Sequence, residues 1–224
     1  MLICAYSTTL RLGRLFFITP HRAFSHSPQH SVGYNSTYIS PCSRFPMKKI
    51  TILFTGGTIA MRTNTDGMLV PAVSGDELTA SIPALRSICN IHTVQFSNIP
   101  SAQMTPDLML KLRSEIIEQL SNPDISGAVV VHGTDTMEET AFFLDACLSN
   151  ANLNNKPVVI TGAMRGNDAL SADGMANLLG AARVAASDNS SGRGVMLVMN
   201  DEIHAARHRA WALFAHPSTW SSAR

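Results

Sequence analysis

Short runs of apolar residues recur along the chain from residue 50 onward and alternate with stretches of helical periodicity. Five strand-like runs are found, at residues 50–55, 90–97, 127–132, 157–161 and 195–199; the second of them mixes apolar with polar residues. Between the second and third runs, apolar side chains recur every four residues, at Leu108, Leu112, Ile116 and Leu120. This spacing predicts an amphipathic helix. Strands separated by helices of this length require right-handed crossovers, so we predict an α/β fold with a mainly parallel sheet and helices on both faces.

Local signals mark where the predicted helices begin. Residues 105–107 (TPD) combine an N-cap residue, a proline in the first turn and an acid that favours the helix dipole. Thr136 and Glu139 have the spacing of a capping box, which predicts another helix start. The remaining predictions are a helix at residues 171–186, a helical turn at 75–80 and a mobile loop at 61–74.

The first 46 residues differ in composition from the rest of the chain. They contain four arginines, four prolines and no Asp or Glu. Such a composition resembles a mitochondrial transit peptide, whereas Met47, followed by two lysines and an apolar run, is a natural start for a domain. We therefore expect residues 1–46 to be a disordered leader, either a transit peptide or a spurious start, and residues 47–207 to form one domain.

Charge and cysteine usage narrow the classes of function. The formal net charge is +1, which argues against a nucleic-acid partner. The four cysteines include no C-x-x-C pair, so the sequence predicts neither a disulfide framework nor a zinc site.

Three other kinds of site have weak or no support in the sequence. His204 and His208 have the spacing of two metal ligands on a helix, but no third ligand accompanies them. No apolar run approaches the roughly 20 residues of a membrane span, and the glycine spacing of dinucleotide-binding loops is missing.

Threonines next to glycines follow two of the predicted strands. Thr58 follows Gly57 after the first run, and Thr134 follows Gly133 after the third. Ligands of parallel sheets bind beyond the carboxyl ends of the strands. The segments that we expect to converge there are residues 55–58, 132–135, 161–165 and 200–201. A hydroxyl nucleophile beside main-chain N–H groups suits an enzyme that attacks a carbonyl carbon; the alternative for each threonine is a structural role in a turn or N-cap.

Two of these segments are similar to the signature motifs of the bacterial-type L-asparaginase family, namely residues 55–60 (TGGTIA) and 132–141 (HGTDTMEETA). The resemblance covers about residues 49–207 and includes three further segments, at residues 156–165, 171–174 and 200–203. It implies the N-terminal domain of the family and hydrolysis of L-asparagine to L-aspartate and ammonia, with L-glutamine accepted by some members. It also implies that no cofactor or metal is used and that the full-length enzyme is a homo-oligomer. We expect a cytoplasmic location, or a mitochondrial one if the leader is a transit peptide.

The resemblance also assigns roles to individual residues. Thr58 matches the nucleophile that becomes acylated, and Thr134 and Asp135 match two further catalytic residues. Asp135 would bind the α-ammonium group of the substrate and Ser101 its α-carboxylate, a division that suits charge-assisted hydrogen bonds. The other substrate-binding residues that it implies are Gly57, Ala102, Gln103, Gly133 and Ala163.

The chain departs from the family pattern in three places. The mobile-loop tyrosine of many members has no counterpart, because all three tyrosines precede residue 47. The active-site lysine of the family has none either, because no lysine follows Lys156. We expect residues 208–224 to be an aberrant tail outside the fold and the C-terminal domain of the family to be missing. A second interpretation is therefore a catalytically inactive, truncated fragment. A third is the amidase subunit of a tRNA-dependent amidotransferase, for which the leader is too short to form the usual added domain.

Overall fold

A computed structural model describes residues 47–151 and 153–208 of the chain. The predicted leader, and the predicted tail beyond His208, lie outside the described residues. The strands are β1 (Lys49–Phe54), β2 (Met61–Thr63), β3 (Leu69–Pro71), β4 (Asn90–Gln95), β5 (Ile125–Val131), β6 (Val158–Thr161), β7 (Val195–Met199) and β8 (Glu202–Ala205). The α-helices are α1 (Gly75–Ala80), α2 (Pro106–Ser121), α3 (Met137–Leu148) and α4 (Gly174–Ala186).

Six of the strands form one sheet in the order β4-β1-β5-β6-β7-β8. The first five of these strands are parallel to one another, and β8 pairs antiparallel with β7. This arrangement confirms the predicted mainly parallel α/β fold, and all five predicted strands are present. The strand β8 was not predicted. It follows a tight turn in which Asn200 and Asp201 have φ angles of 51° and 63°, a left-handed conformation that Asn and Asp tolerate better than most residues.

Two hydrophobic cores cover the two faces of the sheet, as predicted for helices on both sides. On β1, Ile52 and Phe54 belong to the core that packs against α1 and α4. Leu53 points to the opposite face, where it joins the core formed with α2 and α3. This alternation follows from the two-residue period of a strand. The inner strands β1, β5, β6 and β7 are buried on both faces and are apolar almost throughout, which is why the sequence shows continuous runs there, whereas the edge strand β4 is more polar.

The start of α2 confirms the predicted signal, whereas the start of α3 does not. Thr105 accepts a hydrogen bond from the Leu108 N–H, and Pro106 occupies the first turn of α2. Thr136 precedes α3, but its side chain makes no capping hydrogen bond, so the predicted capping box with Glu139 is wrong. The physical reason is competition, because the Thr136 hydroxyl instead donates to the Ser101 carbonyl oxygen at 2.7 Å.

The helix predicted at residues 171–186 begins three residues later, at Gly174. Asp173 is responsible for the shift, because its carboxylate accepts hydrogen bonds from the main-chain N–H groups of Met164 and Arg165 at 2.9 and 3.0 Å. These bonds hold the residues before Gly174 in a loop that follows β6.

Residues 61–74, predicted as an irregular mobile loop, contain the antiparallel hairpin β2–β3. The Asn64 side chain closes its turn by accepting the N–H groups of Asp66 and Met68. The hairpin is tied to the loop after β6, because the Asp168 carboxylate accepts the Thr63 N–H at 2.8 Å. Over residues 47–151 and 153–208, no helix is long and apolar enough to cross a membrane.

Candidate active site

The carboxyl ends of β1, β5 and β6 lie side by side in register. Phe54 pairs with Val131, and Val131 pairs with Thr161. The hydrogen bonds continue past the strands, since the Thr55 N–H donates to the Val131 carbonyl at 3.0 Å and the His132 N–H donates to the Thr161 carbonyl at 2.8 Å. Three of the predicted segments therefore leave the sheet at the same level of the same edge.

The first and second motifs touch through their glycines. A Cβ atom added to Gly57 would lie 2.5 Å from the Gly133 Cα and 2.6 Å from its nitrogen. Gly57 also has a φ angle of 89°, a conformation that glycine adopts at no steric cost. Because Thr58 and Thr134 each follow one of these glycines, the two predicted catalytic threonines leave from adjoining points of the main chain. Both are half-buried, so neither is shut inside the core.

Ser101 joins this pair of loops from the segment after β4. It begins a short 3₁₀ turn, Ser101–Gln103, and is only 3% exposed. Its Oγ accepts the Asp135 N–H at 3.1 Å, and a Cβ added to Gly133 would lie 2.6 Å from the same oxygen. Ser101 is therefore in contact with the main chain of the predicted catalytic segment. The next two predicted binding residues, Ala102 and Gln103, are exposed.

Ala163 lies at the other side of the second motif and is fully buried. The preceding residue, Gly162, contacts the main chain of His132, because an added Cβ would lie 2.3 Å from the His132 carbonyl oxygen. At the start of α4, Gly174 contacts both Ile59 and Ala163, with an added Cβ at 2.5 Å from Ile59 Cγ1 and 3.2 Å from Ala163 Cβ. Since Ile59 follows Thr58, the Ala163 segment and the Thr58 turn pack against the same helix start.

His132 is a buried residue of the site whose individual role the sequence did not reveal. Its Nδ1 lies 2.7 Å from the Gly133 carbonyl oxygen, and its Nε2 lies 3.2 Å from the Thr140 hydroxyl on α3. Burial lowers the pKa of His132 below its ordinary value of 6.5, and this outweighs the opposing effects of the Gly133 carbonyl and of Glu139. A neutral ring with its proton on Nδ1 fits both contacts, donating to Gly133 and accepting from Thr140. The ring thereby links the loop of Gly133 to α3.

Lys156, the last lysine of the sequence, lies at the opposite end of the sheet. Its Nζ donates to the carbonyl oxygens of Leu120 and Asn122 at 2.7 and 2.8 Å, where α2 ends. It therefore cannot supply the active-site lysine that the family resemblance implies. In the part of the chain that the structure describes, no three His, Cys, Asp or Glu side chains are grouped to hold a metal ion.

A cavity of about 360 Å³ also lies away from the predicted site. It is lined by residues at the amino ends of β6 and β7, among them Asp145, Lys156 and Arg207. The buried Asp145 carboxylate accepts the Val195 N–H at 2.9 Å and pairs with Arg207 at 2.6 Å. These polar groups already satisfy one another, and the cavity shares no residue with the glycine and threonine segments.

A family model described as asparaginase, N-terminal, matches residues 49–211 of the chain. The chain is 41% identical over 164 residues to "Probable L-asparaginase 4" of Schizosaccharomyces pombe, covering 71% of the chain and 45% of that protein. It is 39% identical over 162 residues to "Glutaminase-asparaginase" of Acinetobacter glutaminasificans, covering 70% of the chain and 48% of that protein. The chain thus spans about half the length of the curated relatives it matches.

A solved structure has the same fold as the described domain. It is a "Probable Cytoplasmic L-asparaginase" from Campylobacter jejuni, with a TM-score of 0.63 and 39% sequence identity. The match covers 71% of this chain and 46% of that one. An identity of this size supports a shared family as well as a shared fold.

Proposed function

Because the chain belongs to the asparaginase family, whose N-terminal domain it matches over residues 49–211, we propose that it hydrolyses L-asparagine to L-aspartate and ammonia. The single observation that carries the proposal is the contact between Gly57 and Gly133, which brings Thr58 and Thr134 to neighbouring points of one edge. The Thr58 oxygen attacks the side-chain amide carbon, the C–N bond breaks, and the nitrogen leaves as ammonia with the proton that Thr58 gives up. Water then hydrolyses the acyl-enzyme to L-aspartate.

The proposed binding roles of Ser101 and Asp135 are supported by their hydrogen bonds. Because the Ser101 oxygen already accepts the Asp135 N–H, its own proton is available to donate to the α-carboxylate of the substrate. The exposed Asp135 carboxylate is free to accept from the α-ammonium group, and such charge-assisted bonds are stronger than neutral ones. Gly57, Gly133 and Ala163 would line the pocket with main-chain groups, and Ala102 and Gln103 would lie at its rim.

The site has one feature that favours a second function. A threonine hydroxyl is a weak nucleophile and needs a base to take its proton. Lys156 is held at the far end of the sheet, and no lysine follows it in the sequence. The second candidate is therefore a chain that binds amino acid but does not turn it over.

Ammonia release from L-asparagine by the purified 224-residue chain, made in a host without asparaginases, separates these candidates. We expect turnover that falls at least 100-fold in Thr58→Ala and is unchanged in Thr79→Ala. Thr79 is a matched control because its hydroxyl, among the residues that the structure describes, bonds the Asp76 carbonyl within α1. Absence of turnover, together with L-aspartate binding that is lost in Asp135→Asn, would support the non-catalytic candidate. Absence of both turnover and binding would refute the two together.

Substrate range, assembly and location are proposed on the same basis. Relatives named glutaminase-asparaginase support L-glutamine as a second substrate, and one added methylene changes binding by only about 1–3 kcal/mol. We propose a homo-oligomer, as the family resemblance implies, and a cytoplasmic location, which the name of the Campylobacter jejuni protein gives for that relative. The mitochondrial alternative depends on residues 1–46. Fluorescent fusions that begin at Met1 and at Met47 would differ in location only if those residues direct import.

A further inference from the structure

Asn177 is a buried polar residue on the second turn of α4, and its side chain bonds to three different segments. Its Nδ2 donates to the Gly162 carbonyl at 3.0 Å and to the Asp173 carboxylate at 3.1 Å. Its Oδ1 accepts the Asn200 N–H at 2.9 Å. Asn177 is 3% exposed, and a buried amide left without these partners would be costly. The side chain therefore links the exits of β6 and β7 to the start of α4.

Asp173 extends the same network along the loop after β6. Its two carboxylate oxygens accept the N–H groups of Met164 and Arg165, and one of them also accepts from Asn177. Asp173 makes no side-chain capping bond to its own helix. The network therefore holds the main chain on both sides of Ala163, through the Gly162 carbonyl before it and the two N–H groups after it.

The start of α4 also contacts the turn that carries Thr58. Gly174 packs against Ile59 and Ala163 at once, at distances that leave no room for a side chain at position 174. One helix end thus supports the residue after Thr58 and holds the segment of Ala163. A shift of this segment would change the space next to Thr58, where a bound side-chain amide would have to lie.

We propose that Asn177, acting with Asp173, is a positioning residue that fixes the Ala163 main chain relative to Thr58 and so orients the substrate amide for attack. The proposal rests on the function proposed above. Asn177 touches no substrate atom in it. Small misplacements of reacting groups cost rate more than binding, so loss of this network should lower kcat while KM changes little.

The variant Asn177→Asp tests the network with almost no change of shape. It keeps an oxygen for the Asn200 N–H, but it removes the donor to Gly162 and places a second carboxylate beside Asp173, and like charges at this distance repel. Hydrogen exchange of individual amides should therefore become at least tenfold faster at Met164 and Arg165 and stay within about threefold at Asn200. In the same variant kcat should fall at least tenfold, with KM within threefold of the parent value.

Two further variants guard against a purely structural effect. Asp145→Asn alters a buried carboxylate that bonds the Val195 N–H at the other end of the sheet, and it should speed exchange at Val195 without changing kcat. Asp173→Asn keeps the size of the side chain but offers an NH₂ donor in place of one oxygen. It should speed exchange at Met164 or Arg165 even if Asn177→Asp does not fold.

The outcomes separate this proposal from the proposed function. Faster exchange spread evenly over the sheet, or unchanged exchange at Met164 and Arg165 in both site variants, would overturn the positioning role. So would local loosening without a fall in kcat. If the parent chain binds L-aspartate without turnover, the local change in exchange at Met164 and Arg165 decides the proposal, and the affinity for L-aspartate should stay within threefold of the parent value in Asn177→Asp. A parent that neither turns over asparagine nor binds aspartate overturns both proposals, whereas an active parent with an unaffected variant overturns only this one.

Discussion

The contact between Gly133 and Ser101 leads to a prediction whose size can be worked out from the structure. In Gly133→Ala the added methyl would lie 2.6 Å from the Ser101 Oγ and 2.8 Å from its Cβ. Carbon atoms in ordinary contact are about 3.5–4.0 Å apart, so one of the two residues must move by about 1 Å. Ser101 resists this movement, because its Oγ accepts the Asp135 N–H and its carbonyl accepts the Thr136 hydroxyl.

The expected loss of stability has two parts. Forcing an extra methyl into a packed site costs about 1–3 kcal/mol, and losing one of the hydrogen bonds of Ser101 adds about 1 kcal/mol. The sum is about 2–4 kcal/mol. With an m value of about 2 kcal/mol per M of urea, the middle of the usual range for small domains, the midpoint of unfolding should fall by roughly 1–2 M.

A double-mutant cycle tests this steric contact directly. Its second variant, Ser101→Gly, removes both atoms that the new methyl would meet. The nearest remaining atom to that methyl is then the Gly57 Cα at 3.3 Å. The double variant Gly133→Ala, Ser101→Gly should therefore be more stable than the sum of the single losses predicts, with a coupling energy of at least about 1 kcal/mol. Circular dichroism is a suitable probe of unfolding, since it follows the helices and strands of the whole domain.

A control variant separates steric contact from a general effect of removing glycine. Gly67 in the β2–β3 turn has a φ angle of 77° and no atom within 4 Å of an added Cβ, so Gly67→Ala should cost only the strain of its backbone, about 1 kcal/mol. The reasoning is refuted if Gly133→Ala costs no more than Gly67→Ala, or if the losses of Gly133→Ala and Ser101→Gly simply add.

Two further predictions concern α4 and His132. Gly180→Ala in the interior of α4 should raise stability by about 0.5–1 kcal/mol, because alanine favours a helix and the added Cβ meets only Val198 Cγ1 at an ordinary 3.4 Å; a lower urea midpoint would contradict it. For His132, burial lowers the pKa below 6.5, so the unfolded chain binds a proton that the folded chain excludes. The free energy of unfolding is therefore not reduced by this group above pH 6.5. It falls as the pH drops below 6.5, by up to about 1.4 kcal/mol per pH unit. Urea midpoints between pH 7.5 and 5.5 should fall more steeply in the parent than in His132→Gln, and equal slopes would refute the buried neutral histidine.

The four inner strands of the sheet (β1, β5, β6 and β7) and the first turn of α2 could be predicted because their signals are local. A strand buried on both faces appears as an unbroken apolar run, and the N-cap Thr105 bonds a residue only three positions away. The capping box at Thr136 failed for the opposite reason. Its hydroxyl is bound by Ser101, 35 positions earlier in the chain, and no local pattern reveals such a competitor.

Two missed features left a signal in the sequence. Asn177 is the one strongly polar member of the buried face of α4, among Leu178, Ala181, Ala182 and Ala185, and a polar residue on an apolar helix face indicates a buried hydrogen-bond network. The turn before β8 combines Asn200 with Asp201, a pair that tolerates left-handed backbone. The β7–β8 hairpin was missed because Asn200 and Asp201 were interpreted as the end of a strand that faces the candidate active site. The roles of Thr58, Thr134 and Asp135 remain predictions that activity measurements must test.

The glycines of the site explain why the two motifs, residues 55–60 and 132–141, depend on each other. Gly57 can approach Gly133 only because neither residue has a side chain, and Gly133 can approach the side chain of Ser101 because it has none of its own. Each partner therefore limits what can occupy the other position, although the two glycines are 76 positions apart in the sequence. The spacing of Thr58, Thr134 and Ser101 is consequently set by main-chain packing at the sheet edge before any ligand binds, a form of preorganisation that rigid strand ends provide better than free loops. The β2–β3 hairpin differs, since it is attached to the loop after β6 by the exposed bond between Thr63 and the Asp168 carboxylate and by one main-chain bond at half-buried positions. Local opening begins where buried contacts are fewest, so the hairpin can move while the glycine contacts that determine the spacing of the threonines stay closed.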